Sequence, residues 1–124
     1  MIKGNGVDIV QVCRIASAVE RHGLGFVRRI LNTDEFAQYN LQKKSIHFLA
    51  KRFAAKEAIS KALGTGMRQG VCWHDIAIIN DSHGKPHVRL HGQAQAIAER
   101  QKINQWHLSL SDEKDYVIAF VIAD

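Results

Sequence analysis

The chain has 124 residues, 46% of them hydrophobic, and carries 17 Lys and Arg against 12 Asp and Glu for a formal net charge of +5. That length and apolar content support one domain with one core. The positive excess suits an acidic partner (nucleic acid, a phosphorylated small molecule or an acidic protein) and serves equally as an ordinary solubility charge. No long apolar run occurs, and Lys3 with Gly4 and Gly6 interrupts the opening residues, so neither a membrane span nor a signal peptide is indicated and a cytoplasmic protein is expected.

Residues 1–10 read as a strand in which Gly4 and Gly6 permit close backbone approach. Val12, Ile15, Ala16 and Val19 mark the stripe of a first helix, broken by Gly23 and Gly25, and residues 26–31 form a helical turn. Thr33 is placed to cap a helix over 34–42, whose acidic first turn suits the helix dipole. Ser45 caps the longest helix, 46–63, which Gly64 stops. The second half changes character. Strands over 75–81 and 87–91 flank a turn at SHGKP, a helix follows over 93–101, and strands over 106–111 and 116–123 are joined by the tight turn DEKD. Helices first and paired strands later predict an α+β fold of one domain spanning 1–124, with the long helix packed on an antiparallel sheet. Cys13 and Cys72 lack any ligand or disulfide spacing and are expected as buried free thiols; His87 and His91 alternate as in a strand and predict no metal site.

Within the long helix, Phe48, Leu49, Phe53, Ala55, Ile59, Ala62 and Leu63 form one broad apolar half, and Glu57 and Lys61 share a strip with Ala50 and Ala54. An exposed i, i+4 pair stabilises a helix by only about 0.2–0.5 kcal/mol. Here small residues flank the pair and the helix ends in Gly-Thr-Gly, which leaves room for a ligand. Asp8, in GVDIV, sits where a central strand would carry an apolar residue. Either it caps a neighbouring turn, or it joins Glu57 as an oxygen ligand for Mg²⁺, a hard cation that takes one or two carboxylates plus water and phosphate oxygens.

The segments G-x-G-x-D-I-V-x-x-x-R-I at 4–15, FLAKRFAAKEAISKALGTG at 48–66, NDSHGKP at 80–86 and WHLSLSDEKDYVIAFVI at 106–122 resemble, in the same order, the holo-acyl-carrier-protein synthases. These are small 4′-phosphopantetheinyl transferases. The resemblance implies a homotrimer that binds coenzyme A and Mg²⁺ between neighbouring chains. It implies transfer of phosphopantetheine to a serine of acyl carrier protein, for fatty acid biosynthesis, with release of adenosine 3′,5′-bisphosphate. Carried over by position, Asp8 and Glu57 are the metal ligands and Lys61 faces the pyrophosphate, all three as catalytic residues. Arg52, Lys44, Gly64, Thr65, Gly66, Gly84, Lys85 and Pro86 align with segments that hold coenzyme A, with Lys43 as an alternative to Lys44. Asp112 stands where many members carry histidine, so His107 and Ser109 are the candidates on that strand. Arg14, Arg21, Phe26 and Arg29 form a basic patch with an apolar centre, matching the surface on which such enzymes receive the carrier protein's acidic helix.

Two other readings follow from the same residues. A small basic nucleic-acid module would need exposed aromatics along a basic stripe, and this chain has nine aromatics in all, several in expected core strands. A catalytically inactive coenzyme A-binding member would be expected to lose Asp8, Glu57 or Lys61, and all three are present.

Overall fold

The computed structural model describes residues 1–124. The elements in chain order are strand β1 (Gly4–Gln11), helices α1 (Val12–His22), α2 (Leu24–Ile30), α3 (Thr33–Leu41) and α4 (Ile46–Leu63), a 3₁₀ turn (Trp73–Asp75), strands β2 (Ile76–Asn80) and β3 (Pro86–Leu90), helix α5 (Gly92–Arg100), and strands β4 (Trp106–Asp112) and β5 (Tyr116–Ala123). Two antiparallel sheets result: β1-β5-β4, and the hairpin β2-β3. The chain is α+β with a central helix on a sheet, as expected. No helix is long and apolar enough to cross a membrane.

Helix α4 organises the core. Ser45 accepts from the Phe48 N–H at its start, and Gly64 ends it in the left-handed conformation at φ 81°. Most of α4 is buried, Ala50, Ala54, Lys56, Ala58 and Ser60 included, so the one-sided apolar half expected from the helical wheel understates its enclosure. The packing against β1 is close because β1 carries glycines there. A Cβ on Gly4 would strike the Ala62 carbonyl oxygen, and one on Gly6 would strike that of Ala58. Side chains alternate across a strand, so Gly4, Gly6, Asp8 and Val10 share the helix-facing side of β1. Their register partners Ala123, Val121, Ala119 and Val117 on β5 are buried as well. The opposite face holds Val7, Ile9, Tyr116, Ile118 and Phe120, all exposed.

Several local expectations are corrected. Strand β1 is an edge strand, bonded only to β5, which takes the central place. Asn32, not Thr33, caps α3: its side chain accepts from the Glu35 N–H at 2.9 Å and Glu35 accepts back from the Asn32 N–H at 3.0 Å. Gly23 alone breaks the first two helices, and Gly25 lies inside α2. Cys13 and Cys72 are free thiols but exposed, Cys13 because the α1 stripe buries Val12 and Ile15 instead. The 3₁₀ turn is too short to leave a periodic signal.

Candidate active site

Strand β1 and helix α4 bring Asp8, Glu57 and Lys61 together across the sequence. Lys61 Nζ lies 3.1 Å from Asp8 Oδ1 and donates to the Val7 carbonyl at 2.9 Å, so it crosses the strand's unpaired edge. Asp8 is largely covered and Lys61 half exposed. The Glu57 carboxyl is pushed above the usual glutamate range, first by burial and then by the facing Asp8 carboxylate, with Lys61 offsetting part. Two oxygen-donor carboxylates that raise each other's cost fit a hard divalent cation. No three His, Cys, Asp or Glu side chains cluster on the single chain.

Asp8 and Glu57 open on a cavity of about 310 Å³ lined also by Ile9, Val10, Arg14, Ile15, Phe26 and Phe53. Phe26 packs against Phe53 with ring centroids 6.4 Å apart. Two members of the expected basic patch, Arg14 and Phe26, therefore border the carboxylate pair. Arg21 and Arg29 are exposed farther out on α1 and α2 and do not line the cavity.

One turn beyond Lys61, the Thr65 and Gly66 N–H groups both donate to the Ser60 carbonyl, and Gly64 and Gly66 take φ of 81° and 60°. This turn sits at the same end of α4 as Lys61. The remaining expected coenzyme A residues lie elsewhere. Arg52, Gly84, Lys85, Pro86 and Ser109 line a separate cleft of about 470 Å³ with Gln42, Phe48, Lys51, Asn80 and Asp112. His107 borders the adjoining groove with Lys85 and Ser109. Lys44 is exposed in the turn after α3, outside the cleft lining, where Gln42 and Lys51 stand instead. Arg52 and Lys61 are nine residues apart on α4, a rise of about 13 Å. The expected ligand residues thus form two groups on one chain.

Arg52 is not on a solvated helix face. It is 2% exposed and lies over the Phe48 ring with its Cζ 4.6 Å from the centroid. Burial draws its guanidinium below the usual arginine range, offset in part by Glu35. Lys56 and Glu35, which sequence reasoning did not single out, form a buried ion pair at 2.7 Å. Burial pulls Lys56 down as well, against the opposing pull of Glu35. A signal was available: Arg52 and Lys56 are like charges at i, i+4 in an apolar helix, an arrangement that is unfavourable unless an anion stands between them.

The chain thus sets two carboxylates and a lysine at one end of a central helix and a cationic cleft along its side. Residues 4–121 match the family described as the 4′-phosphopantetheinyl transferase superfamily, and the chain belongs to it. It is 50% identical to a holo-[acyl-carrier-protein] synthase of Vibrio cholerae serotype O1 over 100% of this chain and 98% of that one. Among solved structures it resembles holo-[acyl-carrier-protein] synthase from Neisseria meningitidis, with TM-score 0.92, 44% identity and coverage of 100% of this chain and 99% of that chain. It also resembles the Helicobacter pylori synthase in complex with coenzyme A, with TM-score 0.86, 29% identity and coverage of 97% and 99%.

Proposed function

We propose that this chain transfers 4′-phosphopantetheine from coenzyme A to a serine hydroxyl of apo acyl carrier protein, giving the holo carrier and adenosine 3′,5′-bisphosphate. The observation that carries the reading is that Asp8 and Glu57 line one cavity, whose walls also hold Arg14 and Phe26, and that Lys61 reaches Asp8 beside it. The serine Oγ forms a bond to the phosphorus that bears pantetheine, and the bond from that phosphorus to the bridging oxygen breaks. Asp8 and Glu57 would hold Mg²⁺, which when bound supplies charge neutralisation at the pyrophosphate. The Lys61 ammonium, half exposed on the same edge, meets charge that grows on the leaving phosphate. The serine proton goes to Glu57 or to a water; a carboxylate that holds Mg²⁺ is a weaker base, which favours a water held by Glu57.

The site is completed between copies in a homotrimer. Two features support this: the ligand residues fall into separate groups at Lys61 and at Arg52, and the apolar sheet face of Val7, Ile9, Tyr116, Ile118 and Phe120 stands open on the single chain. The test is to incubate the protein with apo carrier protein, coenzyme A and Mg²⁺ and to weigh the carrier by mass spectrometry. A gain of one phosphopantetheine is expected, with light scattering giving the mass of three chains. A carrier of unchanged mass would refute the reading.

A further inference from the structure

Beneath the cleft, one carboxylate is shared by two buried cations. Lys56 is 0% exposed, and Arg52 and Glu35 are each 2% exposed. Lys56 Nζ donates to Glu35 Oε1 at 2.7 Å, to the Ile30 carbonyl at 2.6 Å and to the Trp73 carbonyl at 3.2 Å, so each of its three hydrogens has an acceptor. Glu35 is equally committed, accepting from the Asn32 N–H through Oε1 and from the Ile78 N–H at 2.9 Å through Oε2. Arg52 is left over. Its Nε is 3.9 Å from Glu35 Oε2, beyond hydrogen-bond distance, and Nε and Nη2 are buried without a partner.

Two cations against one anion leave one positive charge uncompensated, and the geometry places it on Arg52. A guanidinium in that state is costly unless an anion reaches it. Arg52 lines the cleft together with Lys51, Lys85 and Ser109. This inference rests on the proposed function, with the cleft taking the adenosine 3′,5′-bisphosphate end of coenzyme A.

We infer that Lys56 is a positioning residue for that anion: by engaging Glu35 it keeps the carboxylate from closing on Arg52, and so holds the guanidinium available to phosphate. Without Lys56, Oε1 loses its cation and the 3.9 Å gap to Arg52 can close into a bidentate pair, which would neutralise the anion site from within.

The test measures the affinity of the full chain for adenosine 3′,5′-bisphosphate in Mg²⁺ buffer by calorimetry, with folding followed by circular dichroism. Lys56→Met should weaken binding about tenfold or more, and Lys56→Met combined with Glu35→Gln should bring it back to within about threefold of the unmodified chain. Glu35→Gln alone should bind at least as tightly as the unmodified chain, because Arg52 then faces no competing carboxylate. A Lys56 that only holds the fold together would leave the double variant as weak as the single one, and that result overturns the inference. Should Lys56→Met fail to fold, Glu35→Gln decides, since weakened binding there overturns the inference too. An unmodified chain that binds no bisphosphate would overturn the proposed function and this inference with it, whereas an unrestored double variant overturns the inference alone.

Discussion

Gly6→Ala is the substitution that most directly couples packing to chemistry. The added Cβ would strike the Ala58 carbonyl oxygen and would lie 2.9 Å from the Ala58 carbonyl carbon and 3.1 Å from the Ala62 nitrogen. Real Cβ atoms essentially never come within 3.0 Å of a neighbour, so β1 must withdraw from α4 by about 1 Å or more to clear the Ala58 carbonyl oxygen, and the obstacle is helix backbone with no rotamer to yield. Overpacking of this kind costs about 1–3 kcal/mol, and an obstacle made of backbone points to the upper end. Asp8 lies two residues on, on the same face of the strand, and rides with it. A shift of about 1 Å in a positioned group can cost on the order of 100-fold in rate. Gly4→Ala meets the Ala62 carbonyl oxygen but is twice as far along the strand from Asp8, so it should cost stability with a smaller loss of rate. The assay pairs urea unfolding midpoints with turnover of apo carrier protein for both variants. A Gly6→Ala protein within about 0.5 kcal/mol of the unmodified chain, with full turnover, would refute the reasoning.

Glu57→Gln should abolish transfer yet raise the melting temperature at pH 8 in metal-free buffer, with the gain shrinking toward pH 4. A carboxyl whose folded pKa is raised favours the fold while it is protonated and loses that contribution as pH rises through the folded value; a lower melting temperature at pH 8 would contradict this. Lys61→Ala should lower kcat more than it raises KM for coenzyme A, since the ammonium meets charge that develops as the bond breaks, and a change in KM alone would make it a docking residue. Arg14→Glu should raise KM for the carrier protein and flatten its salt dependence, because exposed charges act over a Debye length of about 8 Å at physiological ionic strength. An unchanged carrier KM at low salt would move the docking surface elsewhere.

Much of this was legible because local signals and tertiary structure agree. Ser45 and Gly64 mark the ends of α4 by chemistry that belongs to those positions, and β5 covers 116–123 as its alternation indicates. Asp8 and Glu57 were singled out because a carboxylate in an apolar strand and another on a small-residue strip each need a partner, and each proves to be part of the other's surroundings. The burial of Arg52 was not legible, because helical periodicity weighs a guanidinium as polar and only the elements closing around α4 bury it. Lys56 and Glu35 were missed for the related reason that Glu35 accounts for itself locally as a capping-box residue. Its second task, holding a lysine 21 positions away, exists only in three dimensions. The exposed thiols show the reverse error, since a cysteine beside a buried stripe need not belong to it.

The claim that matters most is that the transfer site is built from two copies, with the Lys61 group from one chain and the Arg52 group from its neighbour. Arg52→Ala and Lys61→Ala, each folded and trimeric, should separately show little transfer. Unfolded together in equal amounts and refolded as mixed trimers, they should recover about a quarter of the unmodified activity, because a random mixture supplies both intact groups at about one interface in four. The mass gain of the carrier protein reads the result directly. Recovery near that level is what the account predicts, and mixed trimers as inactive as their parents would contradict it.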